Sequence, residues 1–489
     1  MAAKGAKFLI SNAGLRATAM VASFPLLGAA LVLIYAWTGW RDSISAAHFL
    51  AFCGLGVLCF LPLFRAFLAA EVDILEPVFW ISGLYFLYFG VDSIQYAGHA
   101  QVVKSMVLAA CGVAAFQVGY YVVTRRASSY RVFERNGAPG IGKAWIVYLI
   151  GLAATVVSIA TGNFFGQYKN TNTFLAAYLG GFTALRFIGF ILVPSSAVDR
   201  KSLRRAALLA MLLLIPEILI VVLTTSKQLM VYPLLGLIMM RHYLAKRVRL
   251  ISFAALALIL TPVFSLLYAI RSVWYFYVPS QSVSFSDLGL FLREIPSQVL
   301  ALDATAWSSF AENSLRRFHG TFSLLKILDA GGEVPSGYGA YHGISYLLSI
   351  LMPRFIQPDK PDANYQVFFG HNFAGVSSNL DVMIPPTHMG VFYLDYGIAG
   401  IVVGQLLFGM AAAGVYVLFR KFFQSGCKWA LALYAYVFVE MLKIETNPFE
   451  LLSAGVKMLP LLSLVFWFMR SRRSSGVFTW RRPAPVFFP

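Results

Sequence analysis

The chain has 489 residues, 59% of them hydrophobic and only 12% charged, with a formal net charge of +18. Soluble domains carry about 45–50% apolar and about 25% charged residues, so this composition excludes an ordinary water-soluble enzyme; the aromatic content excludes a disordered chain. In a soluble protein such a charge would suggest nucleic acid, whereas in a membrane protein it reports cytoplasmic loops, and the positions of the cations decide between the two.

A helix needs about 20 mostly apolar residues to cross the hydrocarbon core. Twelve stretches qualify. In chain order they are Ala19–Trp37, Ala46–Phe67, Pro77–Phe89, Val102–Val123, Ala144–Ala160, Phe174–Val193, Ala206–Leu223, Leu229–Tyr243, Ile251–Ile270, Val391–Leu418, Trp429–Leu442 and Leu451–Met469. The Leu229–Tyr243 stretch is short and holds Pro233. The first run has no small-residue cleavage pattern and is read as a span rather than a removable signal. Cys53, Cys59, Cys111 and Cys427 fall in or beside apolar runs, without metal-ligand spacing or a disulfide framework.

With the N-terminus in the cytoplasm and strict alternation, 25 of the 39 Lys and Arg fall inside, among them Arg125, Arg126, Arg200–Arg205, Arg241–Arg249, Arg420, Lys421 and Arg470–Arg482. Omitting Leu229–Tyr243 would move Arg241–Arg249 outside and spoil the asymmetry. The expected fold is therefore an all-α polytopic bundle of about twelve transmembrane helices with both termini cytoplasmic. Residues 1–270 hold nine spans, 271–389 form one large extracytoplasmic loop, 390–470 hold three spans, and 471–489 are a cytoplasmic tail. No nucleic-acid partner is expected, and the lipid bilayer is the environment. No internal repeat is evident.

Connections as long as 271–389 are usually functional. Ser286 and Asp287 suit the cap of a helix beginning near Leu288. A second helix is expected over Trp307–Leu328, and Ile344–Leu351 reads as a third, apolar but far too short to span. Pro353, Pro358 and Pro361 then forbid helix. There is no G-x-x-x-x-G-K-[ST], no H-E-x-x-H and no Asp-x-Asp pair in this loop, so neither a metal nor another cofactor is expected.

The outer side holds cations near the membrane: Lys227, Arg271, Arg293, Arg316, Arg317, Arg354 and Lys360. Singly, each reads as a solvated surface charge; as a set they suit a lipid diphosphate, which Arg binds through two parallel bonds and Lys as a point charge. Candidate bases are His319, Asp359, Asp362, His371, Asp381, His388 and Asp395, with capping or hydrogen bonding as the plainer role for each. Aromatic residues are dense, including Trp274–Tyr277, Tyr338, Tyr341, Tyr346, Tyr365, Phe368 and Phe369. They suit an interfacial belt first and sugar stacking second. Within the spans, Arg186, Glu217 and Glu440 are expensive charges that suit either a helix–helix pair or a polar path.

Three segments carry a resemblance. They are Thr224-Thr225-Ser226-Lys227-Gln228, followed by a helix ending at Arg241–Arg249; Tyr338-Gly339 to Tyr346, leading into Met352-Pro353-Arg354-Phe355 and Pro358-Asp359-Lys360-Pro361; and Gly390-Val391-Phe392-Tyr393-Leu394-Asp395-Tyr396-Gly397, then Gly400. With the span count and the late outer loop, the chain resembles the Wzy-type polymerases of bacterial O-antigen, capsule and exopolysaccharide repeat units. The resemblance implies a metal-independent membrane glycosyltransferase at the periplasmic face of the inner membrane, joining oligosaccharides carried on undecaprenyl diphosphate. It also implies a flippase and a chain-length regulator as pathway partners. Lys227, Arg271, Arg316, Arg317, Arg354 and Lys360 are then the expected diphosphate ligands, and His388 or Asp381 the expected base. The alternatives are a related O-antigen ligase or another lipid-linked-sugar transferase, and a flippase or transporter built on Arg186, Glu217 and Glu440.

Overall fold

A computed structural model describes residues 45–69, 73–127, 140–161, 173–198, 203–224, 227–246, 248, 262–263, 265–273, 288–315, 319–331, 335, 338–352, 356, 365–377 and 384–469. The described residues are helical, with no strand among them. The bundle helices are α1 (Ala46–Ala69), α2 (Pro77–Tyr85), α3 (Val102–Ala127), α4 (Ile141–Ala160), α5 (Thr173–Ala197), α6 (Leu203–Thr224) and α7 (Lys227–Met240). α2 continues through a wider π turn (Phe86–Val91) and a 3-10 turn (Asp92–Tyr96), and α7 through a π turn (Arg241–Ala245). The loop contributes α8 (Leu288–Leu300), α9 (Ala304–Leu315), α10 (Gly320–Asp329), α11 (Gly343–Leu351) and α12 (Tyr365–Asn372). The chain closes with α13 (Thr387–Gln424), α14 (Trp429–Met441) and α15 (Pro448–Met469).

Eight described helices are long and apolar enough to cross a membrane, and two shorter apolar ones, Leu229–Ala245 and Trp429–Met441, run beside them. The expected span Ala19–Trp37 and most of Ile251–Ile270 lie outside the described residues. In the loop, Leu288–Leu300 and Gly343–Leu351 form near their expected places. The single helix expected over Trp307–Leu328 is instead two, α9 and α10, and His319 at their junction leaves the helical region (φ −100°, ψ 29°).

Close packing follows from small residues, which let helix backbones approach. A Cβ on Gly151 would overlap the backbone of Arg186, and one on Gly189 would lie 2.5 Å from Tyr148 Cα, so α4 and α5 run antiparallel in direct contact. Cβ atoms on Gly119 and Gly409 would overlap the carbonyls of Leu406 and Phe116, which puts α3 and the later part of α13 in direct contact, here running parallel.

The helix ends sort by charge. Asp73 accepts hydrogen bonds from Tyr243 (2.9 Å) and Tyr416 (2.8 Å), and Lys143 Nζ donates to the Phe468 carbonyl (2.6 Å). These contacts gather Arg125, Arg126, Arg241, Arg420 and Lys428 at one end of the bundle. The loop helices occupy the opposite end: Phe322 N donates to Asp92 (3.2 Å), and Tyr346 donates to Glu450 (2.8 Å).

α13 is not one rod. Its 38 residues would span about 57 Å if straight. At Gly397 the backbone takes φ 63°, ψ −147°, and the chain reverses. The His388 ring lies edge-on to Phe408 with centroids 4.8 Å apart, and a Cβ on Gly404 would sit 2.6 Å from the Phe392 ring. Residues 387–396 therefore fold back antiparallel along residues 398–424. The stretch expected as one span, Val391–Leu418, holds this reversal; hydropathy does not register it because both arms are apolar.

Candidate functional site

Two segments far apart in the sequence, Tyr338–Tyr346 and Gly390–Gly397, meet at the loop end. Asp395, on the last turn of the folded-back arm, accepts the Tyr338 hydroxyl on Oδ1 and the Gly343 backbone N–H on Oδ2 (3.0 Å). His342 Nε2 lies 3.2 Å from the Asp395 carbonyl oxygen, and its ring is edge-on to Tyr396 at 5.2 Å. Gly343 has φ +41°, and a side chain there would collide with the Tyr396 hydroxyl, so the close approach of α11 to the arm depends on glycine.

Aromatic rings wall this carboxylate. Tyr338 and Tyr365 are buried, and the Tyr365 hydroxyl donates to that of Tyr338 (3.4 Å). Tyr341 and Phe368 stand 4.6 Å apart at 31°. Burial, Tyr365 and the Asp395 charge push the Tyr338 phenol well above its ordinary pKa, so it stays a proton donor. Below, Tyr346 ties the wall to Glu450 at the start of α15. The result is a half-buried carboxylate with two fixed donors, an adjacent imidazole and partly open aromatic faces.

A second polar layer lies inside the bundle. α14 has 13 residues and rises only about 20 Å, well short of the roughly 30 Å core. It ends in the turn Leu442–Asn447. There Glu445 accepts the Tyr88 hydroxyl (2.6 Å), and Lys443 donates to both oxygens of Glu440 (2.8 and 2.7 Å). Glu440 also accepts the Tyr232 hydroxyl, and Tyr232 is stacked between Phe187 (4.2 Å) and Tyr436 (5.9 Å). The folded-back arm begins on the same turn: Thr387 N and His388 N donate to the Glu445 and Ile444 carbonyls (3.2 and 2.9 Å). Thr387 carries φ +66° there, and its hydroxyl accepts the Gly390 N–H (3.2 Å). Three of the arm's first N–H groups are thereby satisfied by protein.

Arg186 and Glu217 form a helix–helix pair in the interior. Arg186 Nε lies 3.1 Å from Glu217 Oε2, at an angle that misses hydrogen-bond alignment, and Arg186 Cζ sits 4.5 Å over the Phe187 ring. Tyr148 donates to the other Glu217 oxygen (3.4 Å). Glu440 joins the layer at Lys443 instead.

Of the expected site residues, His388 is fully buried and neither ring nitrogen has a hydrogen-bond partner. Arg271 is half-buried near the end of the helical segment 265–273. Lys227 is the first residue of α7. Asp381, Arg316, Arg317, Arg354 and Lys360 lie outside the described residues. Among the described residues no cluster of His, Cys, Asp or Glu suits a metal ion. Sequence reading passed over Glu450, Glu445, Lys443, Tyr88 and Tyr232. The polar run Lys443-Ile444-Glu445-Thr446-Asn447 between two apolar stretches was the available signal.

No family model matches this chain, and neither a curated protein nor a solved structure matches it. The fold and site define an all-helical protein suited to a lipid bilayer, with a polar cluster where its large loop meets the bundle.

Proposed function

We propose that this protein is a polymerase of lipid-linked oligosaccharide repeat units, acting at the periplasmic face of a bacterial inner membrane with both termini cytoplasmic. The observation that carries the reading is the meeting of Tyr338–Tyr346 with Gly390–Gly397 at the Asp395 carboxylate. The basic end of the bundle, turned to the cytoplasm by the distribution of Lys and Arg, leaves this cluster on the outer side.

In the proposed reaction, Asp395 takes the proton of an acceptor sugar hydroxyl. The hydroxyl oxygen bonds to the anomeric carbon of the donor glycan, and the bond from that carbon to the diphosphate oxygen breaks. The electron pair leaves with undecaprenyl diphosphate, whose charge Arg271, Arg316, Arg317, Arg354, Lys360 and Lys227 are proposed to stabilise. Asp395 is preferred as base to His388, whose ring is sealed from any acceptor; Asp381, the other expected base, lies outside the described residues. Aromatic faces such as Tyr341 and Phe368 suit the sugar rings. A chain-length regulator and a flippase are the proposed partners.

Movement of the lipid-linked unit across the membrane is the second function the geometry favours. A discontinuous helix and a polar turn at depth, as at Gly397 and Leu442–Asn447, are features of transport sites. Deleting the gene and resolving the surface polysaccharide on a gel tests both. The polymerase reading expects single repeat units where the parent shows long chains. A ligase would lose attached glycan of every length, a flippase would trap lipid-linked units on the inner face, and unchanged polysaccharide overturns the polymerase and ligase readings together. Arg271→Ala and Arg354→Ala are expected to shorten chains at unchanged protein level.

A further inference from the structure

α11 carries no charged residue from Gly343 through Met352. Tyr346, Ser349 and Ile350 form its buried side, and Tyr346 reaches Glu450 on α15. The opposite side is a stripe at helical spacing, Ile344 (61% exposed), Leu348 (59%) and Met352 (46%), and Ile356 beyond the helix is exposed as well. A helix at a water-facing loop surface places charged and polar residues on its outer stripe; here Ser345 is the exposed polar residue, and its hydroxyl turns back to the His342 carbonyl (2.5 Å).

The neighbouring helix identifies what covers the stripe. α15 is among the helices long and apolar enough to span, and it leaves Leu452, Val456, Leu459, Leu464 and Trp467 exposed along its length, with Lys457 exposed among them. α11 packs against the first turns of α15, so its stripe extends the surface that α15 turns to the membrane. We propose that α11 is embedded in the leaflet at the loop end, with Ile344, Leu348 and Met352 against the acyl chains of bilayer phospholipids. The loop then does not stand clear in water. Its central helix is a membrane anchor, and because Gly343 at its first residue bonds Asp395, the anchor sets the carboxylate cluster at the level of the lipid headgroups. This inference rests on the bilayer environment alone and is independent of the polymerase reading.

The test uses the full chain in nanodiscs of phosphatidylethanolamine and phosphatidylglycerol. With the four native cysteines replaced by alanine, a nitroxide is placed at Leu348→Cys, at Met352→Cys and, as an aqueous reference, at Gln298→Cys on α8. Molecular oxygen should relax the labels at 348 and 352 several-fold more than a water-soluble nickel chelate does, with the reverse at 298. Nickel relaxation at 348 equal to that at 298 overturns the proposal in favour of an aqueous face. Spin–spin broadening at 348 that disappears on dilution with unlabelled protein overturns it in favour of a second copy. A benzophenone amino acid at position 348 in the native-cysteine background provides an independent readout. Photolysis should add the mass of one phospholipid, whereas a crosslinked dimer or an unmodified chain overturns the proposal.

Discussion

The Oδ2 atom of Asp395 accepts the backbone N–H of Gly343 at 3.0 Å, joining the top of a folded-back helical arm to the first residue of a loop helix 52 positions earlier. The Tyr338 hydroxyl occupies the other carboxylate oxygen. If this carboxylate activates the acceptor, Asp395→Asn retains an oxygen for Gly343 and loses only the basicity. Polymer formation in membranes given lipid-linked repeat units should fall by roughly 10²-fold or more. Tyr338→Phe removes the hydrogen bond to Asp395 and the one accepted from Tyr365, and should cost about 1–3 kcal/mol of stability with a smaller loss of activity. Full activity of Asp395→Asn would remove the residue from the mechanism.

The reversal at Gly397 uses a region of backbone space that is essentially closed to other residues. Gly397→Ala should destabilise the protein by roughly 1–3 kcal/mol or more. Gly455, in α15 with open space around it and no positive φ, is the matched control. Thermal unfolding of both variants in detergent should show a drop for Gly397→Ala and none for Gly455→Ala. Equal midpoints would contradict a hairpin.

His388 is a buried imidazole with two unpartnered nitrogens. A buried polar group without a partner costs about 1–3 kcal/mol. Replacing it with an apolar side chain of similar size should therefore raise stability. His388→Met is expected to melt higher than the parent with chain-length distribution unchanged. Loss of polymer at normal protein level would return the base role to this histidine.

At the basic end, burial and the neighbouring Asp73 charge push the Glu76 carboxyl up to about 7, against the partial relief of Arg420 and Arg65. The unfolded carboxyl titrates near 4.5. Between these values the folded protein binds more protons than the unfolded one, so this group's contribution is full below the lower value and declines as pH rises to about 7. The decline should be on the order of 2–3 kcal/mol. Asp73 runs the other way: the hydrogen bonds from His242, Tyr416 and Tyr243 outweigh its burial and hold its carboxyl below the ordinary range, so its contribution is lost only in stronger acid. Melting midpoints from pH 5 to 7.5 should flatten in Glu76→Gln. An unchanged slope would place the dependence elsewhere.

The eight described helices long and apolar enough to span were legible because apolar length is a local property. Arg186, Glu217 and Glu440 were legible as charges that need a partner or a polar path in a hydrocarbon core, but which glutamate pairs with Arg186 was decided only by the packing of the helices. The site was legible only in pieces. Asp395 stood among several candidate bases, and nothing in its neighbourhood along the chain distinguished it from His388. Its partners Tyr338 and Gly343 lie on another segment, and Glu450, which supports the wall beneath them, on a third.

By itself, the sequence determined that this is an all-helical membrane protein, that its cations divide between two ends, and that one late loop is large and aromatic. Hydropathy and charge are sums over neighbouring residues, so they need no fold to be read. Only the tertiary structure decided that Val391–Leu418 conceals a reversal at Gly397, that α14 stops part-way at a polar turn, and that His388 is sealed while Asp395 is held at the loop junction. Those are contacts between residues far apart in the chain, set by which apolar faces pack together, and both arms of a folded-back helix have the same hydropathy as one straight span.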